Sequence, residues 1–378
     1  MNGLRRILAI ARKEFIHIIR EPRLIIAVLV LPVSQLLLFS YAISFDVQNV
    51  ATVVVDQDRT AESRAFVSRF EQSDFFEVVA REDSIAAVDG YFDRSAARIA
   101  IVVPPGFAHG MARGTKPEVA VLIDGSEPNA AQLGQAYSAA LSQRLSQDIT
   151  VSWAERRGVD PAAAGGLQVR TRMWYNPERK SADFLIPGLL VVIIMIVTVQ
   201  QTSTTLVREK DQGTLEQLIV SPVRRGELML GKVLPWVFLA MVDVIGIILV
   251  AVFLFQVPLR GSLLTLGISS FLFVLCCLAI GLLVSARAPS LEAANFAGLI
   301  IAFLPGFMLS GFAFPLNSVP VVLQGISYLF PARYMMDISR AVFLKGADFA
   351  VLAPQIGALS LYAVVSITLA SLLYSRRM

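Results

Sequence analysis

Charged residues are scarce in this sequence: they make up 16% of its 378 residues, against 55% hydrophobic residues, and the mean hydropathy is +0.65. Soluble domains carry about 25% charged and about 45–50% apolar residues. Several apolar stretches also exceed the roughly 18 residues that distinguish a bilayer span from a buried core helix. The composition therefore excludes a purely soluble enzyme and favours a membrane protein.

Cysteine and histidine are almost absent. The two cysteines, Cys276 and Cys277, are adjacent in an apolar stretch, and the two histidines are His17 and His109. This spacing provides neither a disulfide framework nor a set of metal ligands, so we expect no metal site. The net charge is +4, but the basic residues flank the apolar stretches and form no stripe of their own, so we expect no nucleic-acid partner.

Six apolar runs are each long enough to cross about 30 Å of hydrocarbon at about 1.5 Å per residue. They are Leu24–Ser44, Phe184–Leu206, Val233–Phe255, Ser262–Ser285, Ala293–Phe314 and Val351–Tyr374. The runs predict a polytopic α-helical membrane protein with six transmembrane helices.

Polar residues inside two of these runs are candidates for a translocation path. Asp243 lies near the middle of the third run. Aspartate at the centre of a span costs on the order of 2.5–3.5 kcal/mol, so Asp243 is expected to face the helix bundle or a watery path. The second run ends in a polar tract that includes Gln200, Gln201 and Thr204. For Asp243 and for the polar tract, two roles remain open: packing between helices and contact with a substrate.

Lysine and arginine predict the orientation, because cytoplasmic loops carry the excess of positive charge. If the N-terminus is cytoplasmic, the inside segments hold Arg5, Arg6, Arg12, Lys13, Arg20, Arg23, Arg208, Lys210, Arg224, Arg225, Lys232, Arg287, Arg376 and Arg377. The short outside loops hold only Arg260, Arg333, Arg340 and Lys345. Both termini are therefore expected in the cytoplasm, and residues 45–183 are expected outside.

The predicted organisation has four parts. Residues 1–23 form a basic amphipathic helix for the membrane interface, either as a topology anchor or with a mechanical role. Residues 24–44 are the first span. Residues 45–183 alternate Val- and Ile-rich strands with helices, including a long one at about Pro128–Glu155 with a stripe from Leu133 to Trp153, which predicts an extracytoplasmic α/β domain. Residues 184–378 supply five further spans, with an outer re-entrant hairpin at about 312–346.

The loop between the second and third spans, at about 208–232, predicts a short helix across the mouth of the bundle. Gly213 provides a turn, Thr214 is positioned to cap the helix, and Pro222 ends it. Further along, Gly226–Lys232 is one residue short of a phosphate-binding P-loop, and Val233 stands where the Mg²⁺-binding hydroxyl belongs. Any ATP hydrolysis is therefore expected on another chain.

This loop resembles that of permease subunits of ABC-2-type ABC transporters. Its pattern, R-E-x-x-x-G-T-L-E-x-L-x-x-x-P-x-x-x-x-E-x-x-x-G-K, is matched by Arg208, Glu209, Gly213, Thr214, Leu215, Glu216, Leu218, Pro222, Glu227, Gly231 and Lys232. Tyr175-Asn176-Pro177, Ile186-Pro187-Gly188 and the segment from Ser310 to Gly346 add to the resemblance. The order of segments is similar to the exporter branch with a large outside domain.

The resemblance implies a function and a set of partners. Residues Arg208 to Pro222 would form the coupling helix that docks into a separate ATPase subunit, with ATP and Mg on that subunit and no cofactor on this chain. It further implies a location in the inner or plasma membrane, efflux of small hydrophobic or drug-like compounds, and a dimer with a second copy or a paralogue. A periplasmic adaptor, lipid or polymer export, and a membrane sensor with an outside ligand domain remain open alternatives.

Overall fold

The computed structural model describes residues 3–42, 49–73, 75–113, 117–125, 134–140, 142–144, 175–176, 180–211, 213 and 225–375. The chain divides into two compact units. The membrane unit consists of Met1–Ser44 and Met173–Met378, and the α/β unit consists of Phe45–Arg172.

The membrane unit begins with α1 (Gly3–Arg20), which carries the predicted amphipathic pattern. Ala11 and Ile18 are buried, whereas Leu4, Leu8 and Ile19 are exposed. One apolar face of α1 therefore packs against other parts of the protein. A second apolar face is exposed on the protein surface and is available to contact lipid. This division is typical of a helix that lies in a membrane interface.

The predicted first span forms α2 (Pro22–Ile25), a π-helical turn (Ile26–Val30) and α3 (Leu31–Ala42). Its apolar helix, Val28–Ala42, is shorter than the other candidate spans, and the last two residues of the predicted run lie outside the described residues. Six spans therefore remain a prediction, of which five have helices of spanning length.

A four-stranded mixed sheet forms the centre of the α/β unit. Its strands are β1 (Val50–Asp56), β2 (Phe76–Glu82), β3 (Ile99–Val103) and β4 (Ala120–Ile123), in the order β2-β1-β3-β4. β1 is parallel to both β2 and β3, and β4 is antiparallel to β3. The Val- and Ile-rich segments of the sequence thus form the strands they predict.

Helices cover both faces of this sheet. On one face, Val54 and Val103 pack against α4 (Ala61–Glu71) and α6 (Phe107–Arg113). On the other, Val53 and Val55 pack against α5 (Ala86–Asp93). Because β1 and β3 are buried on both faces, their sequences are continuous apolar runs. Of the helix predicted at about Pro128–Glu155, residues 134–140 and 142–144 are helical, and the rest lies outside the described residues.

Asp58 joins the carboxyl ends of β1 and β3. Its two carboxylate oxygens accept hydrogen bonds from the backbone N–H of Gly106 (2.7 Å) and of Ala108 (3.0 Å), and from the Thr60 hydroxyl (2.6 Å). These groups include the otherwise unpaired donors at the start of α6. The Thr60 hydroxyl, together with these backbone N–H groups, holds the pKa of Asp58 below its usual value.

We expect Asp58→Ala to destabilise the α/β unit by about 1 kcal/mol at pH 7, the usual cost of losing a helix cap. Because the folded-state pKa of Asp58 is lowered, its contribution is present above the ordinary aspartate pKa and is lost as the pH falls through the folded-state value. Urea unfolding of residues 46–182 at pH 7 and pH 3 measures this. An equal difference between wild type and variant at both pH values would contradict the account.

The membrane unit contains five helices among the described residues that are long and apolar enough to span a membrane. They are α7 (Ser181–Ser203), α9 (Arg225–Leu249, extended by a π-helical turn at Val250–Leu254), α10 (Leu263–Arg287), α11 (Leu291–Leu304, extended by a turn at Pro305–Leu309) and α14 (Phe349–Ser375). The short α8 (Thr205–Asp211) follows α7. These helices match the second to sixth apolar runs of the sequence.

α7 is the most buried of these helices and contacts α3, α9, α10 and α11. Small residues allow its neighbours to come close. A Cβ atom added at Gly281 of α10 would lie 2.6 Å from the Val199 carbonyl oxygen and would overlap Thr202 Oγ1. A Cβ atom added at Gly298 of α11 would lie 2.5 Å from Ser203 Oγ. Close backbone approach at small residues is how membrane helices gain packing contacts.

We expect Gly281→Ala to destabilise the membrane unit by about 1–3 kcal/mol, because the methyl group meets a backbone carbonyl that only a helix shift can relieve. Gly267→Ala on the same helix is the matched control, since a Cβ atom there meets nothing within 4 Å. Melting of the purified protein in detergent compares the two. Equal melting temperatures for both variants would show that the close crossing of α7 and α10 does not exist.

Between α11 and α14 lie two short helices, α12 (Val321–Ser327) and α13 (Pro331–Arg340). Gly311, in the left-handed conformation at φ +86°, follows the end of the α11 extension. α13 is held to α7 by a hydrogen bond from Ser339 Oγ to the Pro187 carbonyl oxygen (2.8 Å). Arg340 Nη1 donates to the Gly311 carbonyl (2.9 Å), and Arg340 Cζ lies 4.0 Å from the centroid of the Phe184 ring. The segment from 312 to 346 is thus a helical pair packed on the start of α7.

Candidate functional site

A cavity of about 340 Å³ lies among α3, α7, α8 and α11. This volume is within the range of small-molecule sites, about 300–1,000 Å³. Its polar wall includes Gln200, Gln201 and Thr204, three of the residues predicted for a translocation path. The apolar wall is formed by Leu31, Ile196, Val197 and Leu291.

An amide pair crosses one side of this cavity. Gln200 Nε2 of α7 donates to Asn295 Oδ1 of α11 at 2.8 Å. The pair lies one turn from the contact between Ser203 and Gly298, where a Cβ atom on the glycine would lie 2.5 Å from Ser203 Oγ. Local sequence does not reveal Asn295 as a partner of Gln200, because 95 residues separate the two.

Two charged residues also line the cavity. Arg208 of α8 lies 3.9 Å from the Glu21 carboxylate, which stands between α1 and α2. Glu292 lies in the first turn of α11 and is exposed. Within the described part of the chain, Glu292 has no ion-pair partner at 4 Å or less. Among the described residues that line the cavity, Glu292 is therefore the charged residue without an ion-pair partner.

Asp243, the fourth residue predicted for the path, does not line this cavity. It is buried on α9, with only 3% of its surface exposed. Near it on the same helix, Ala240, Val244 and Ile247 belong to the main apolar core of the membrane unit. Asp243 thus faces the helix bundle, as its cost in lipid predicts, at a place separate from the cavity.

The predicted coupling loop is described only at its two ends. Glu209 lies within α8, and Gly213 follows α8 in the left-handed conformation at φ +67°, which the predicted turn requires. Thr214, Leu215, Glu216, Leu218 and Pro222 lie outside the described residues. Arg208 is placed at the cavity as well as at the start of this loop.

Ion pairs connect α1 to the start of α9, at the C-terminal end of the loop. Arg6 Nη1 lies 3.5 Å from Glu227 Oε2, and Lys232 Nζ lies 3.9 Å from Glu14 Oε1. The Lys232 side chain is only 4% exposed and that of Glu14 15%. Between the two pairs, a Cβ atom on Gly231 would lie 2.7 Å from Ile10 Cβ, so the helices are in close contact there. Because Glu21 also approaches Arg208, α1 and its end contact both flanks of the loop.

The segment that resembles a shortened P-loop, Gly226–Lys232, lies within α9. Its backbone N–H groups point along a helix, whereas a phosphate-binding loop directs several of them into one concave site. Gly231 and Lys232 contact α1 there, through Ile10 and Glu14.

The comparisons with known proteins agree with this architecture. A family model described as ABC-2 family transporter protein matches residues 22–372. The probable multidrug ABC transporter permease YbhS of Escherichia coli K12 is 33% identical over 99% of this chain and 98% of its own length. The probable multidrug ABC transporter permease YbhR of the same strain is 28% identical over 91% of both chains, and the inner membrane transport permease YhhJ is 25% identical over 94% of this chain.

These matches extend over nearly the whole chain, as the resemblance in the loop from Arg208 to Lys232 predicts. The structure of the chain itself has five apolar helices of spanning length among the described residues and a small mixed sheet in its N-terminal half. The chain is therefore a member of the ABC-2 transporter family.

Proposed function

We propose that this chain is the membrane subunit of an ABC exporter that moves small hydrophobic or drug-like compounds out of the cell, with ATP hydrolysed by a separate subunit. The observation that carries this proposal is the cavity among α3, α7, α8 and α11. Its apolar wall, its amide groups and the Glu292 carboxylate suit amphipathic compounds. The two relatives whose names include multidrug transport support the same substrate class.

The proposed coupling element is the loop that begins at Arg208 and ends before α9. The contacts of α1 support this role, since Glu21 approaches Arg208 on one flank and Glu14 pairs with Lys232 on the other. Through these contacts, a movement of the loop that is caused by an ATPase subunit displaces α1 in the membrane interface. The same movement displaces Arg208 in the wall of the cavity. Dimerisation with a second copy or a paralogue belongs to the same proposal.

In the proposed orientation both termini are cytoplasmic and the α/β unit is outside, with the Val28–Ala42 helix completing six spans. The charge distribution supports this arrangement, because the flanks of the loop at Arg208 and Lys232 share a side with the N-terminal cations. The end of the cavity that Arg208 and Glu292 line is then nearest the cytoplasmic side, where an exporter collects its substrate.

Cysteine labelling tests this orientation. We expect a cysteine introduced at Arg12, Asp211 or Arg377 to be protected from an impermeant thiol reagent added outside intact cells, and one at Gly125 to react. The native cysteines, Cys276 and Cys277, are buried and give a low background. Labelling of the Asp211 position from outside would overturn the orientation.

ATP-driven uptake into everted membrane vesicles tests the function itself. Vesicles that contain the chain and its ATPase subunit should accumulate amphipathic fluorescent drugs when ATP is added, and should stop doing so with vanadate. If the complex hydrolyses ATP but accumulates no member of a chemically broad drug panel, lipid or polymer export replaces the proposal. If ligands bind only the α/β unit and no ATP-driven transport exists, a sensor replaces it.

A further inference from the structure

The amide pair at the cavity leaves hydrogen-bonding groups unused. The Gln200–Asn295 bond employs one N–H and one carbonyl oxygen, and each side chain has both types of group. In the described part of the chain, no other hydrogen bond involves either side chain. Whichever way round the two amides are oriented, at least one donor and one acceptor remain, side by side. The bond is solvent-accessible, and both residues line the cavity.

A second feature lies one turn away on the same helix. Glu292 precedes Asn295 by three residues, which places both side chains on one side of α11. Arg208, the other charged residue of the cavity, is approached by the Glu21 carboxylate, whereas Glu292 has no such partner among the described residues. A ligand that contacts the amide pair therefore has a carboxylate within reach of its other end.

We infer that Gln200 and Asn295 form a clamp that recognises an amide-type group of the transported compound, and that Glu292 selects those with a cationic amine. A secondary amide supplies the donor that the clamp lacks: its N–H donates to the unused carbonyl oxygen, while its own carbonyl, which is trans to the N–H, points away from this oxygen. An ester of the same shape accepts but cannot donate, so one clamp group loses its water without gaining a partner. This inference rests on the proposed function and narrows its substrate class to cationic amphipathic amides.

Two small molecules that differ in a single group distinguish hydrogen bonding to the clamp from burial of apolar surface in the cavity. Tetracaine is a cationic amphipathic ester, and its amide analogue differs only by an N–H in place of the ester oxygen. We expect the complex of this chain and its ATPase subunit, in lipid nanodiscs, to bind the amide about fivefold more tightly than the ester, the typical value of one hydrogen bond. Direct binding is measured, so the result does not depend on transport activity.

Variants identify the source of the preference. In Gln200→Leu/Asn295→Leu the preference for the amide should disappear, whereas Gln355→Leu, which removes an amide group on α14 that does not line the cavity, should retain it. Glu292→Gln should lower the affinity for both compounds by about threefold, as expected for an exposed charge. The ratio of the two affinities should stay unchanged.

Equal affinities for amide and ester in the wild type, or no binding of either, would overturn the clamp. So would a preference that survives in the double variant, because the Gln200–Asn295 bond would then only join α7 to α11. These results are distinguishable from failure of the proposed function, which requires that ATP-driven accumulation of the drug panel is absent.

Discussion

Glu14→Lys is expected to cause the largest loss of stability among the substitutions considered for the membrane unit. The Glu14 carboxylate lies 3.9 Å from the Lys232 ammonium, in a contact where the lysine side chain is 4% exposed. Replacing the carboxylate with a second cation leaves two like charges in a site of low polarity. Breaking a buried pair costs about 3–5 kcal/mol, so we expect a drop in melting temperature of about 10 °C and little transporter in the membrane.

Exchanging the charges of Glu14 and Lys232 distinguishes the loss of the ion pair from other effects of Glu14→Lys. The double variant Glu14→Lys/Lys232→Glu restores opposite charges at the same distance and should recover at least half of the lost melting temperature. Lys13→Glu is the control, because Lys13 lies on the exposed face of α1. If the exchange gives no recovery, or if the control is equally damaging, the pair does not hold α1 to α9. The measurement is thermal melting followed by size-exclusion chromatography in detergent.

Leu215→Ala with Leu218→Ala should weaken association with the ATPase subunit by about a hundredfold and abolish drug-stimulated ATP hydrolysis. The two leucines are three residues apart, so a helix over this segment places them on one face. Such a face can occupy an apolar groove of a partner. A buried apolar anchor at an interface commonly contributes about 2 kcal/mol or more.

Glu216→Ala is the matched control on the same segment. An exposed rim charge contributes about 0–1 kcal/mol, so this variant should weaken association by no more than about fivefold. Both variants should reach the membrane in wild-type amounts, which immunoblotting of membrane fractions checks. Unchanged association and export in the double leucine variant would show that the coupling helix lies elsewhere.

Much of the fold is predictable from the sequence because its causes are local. A span needs only a long apolar run, and five of the six predicted runs form helices of spanning length in the structure. β1 and β3 are predictable because strands buried on both faces are continuously apolar. The first run is less clear, since a π-helical turn at Ile26–Val30 precedes its apolar helix and no local pattern in the run signals that turn.

The candidate site was predictable only in part. Gln200, Gln201 and Thr204 stand out as polar residues at the end of an apolar run, and the structure brings them together at the cavity. Asn295 and Glu292 do not stand out, because their relation to Gln200 depends on how α7 and α11 cross. The two helices are in close contact at Ser203 and Gly298, whose small side chains are unremarkable in the sequence. The pairing of Glu14 with Lys232 likewise follows from a helix contact that spacing alone does not predict.

The central claim is that this chain supplies the membrane path and another subunit supplies the ATP hydrolysis. Affinity isolation of the chain from its native membranes in mild detergent, followed by mass spectrometry and an ATPase assay, tests it most directly. We predict that a protein with a P-loop and an ABC signature sequence is recovered in stoichiometric amount, with vanadate-sensitive hydrolysis that the Leu215→Ala/Leu218→Ala variant loses. A folded chain that is recovered without such a subunit, or that hydrolyses ATP alone, would contradict the claim.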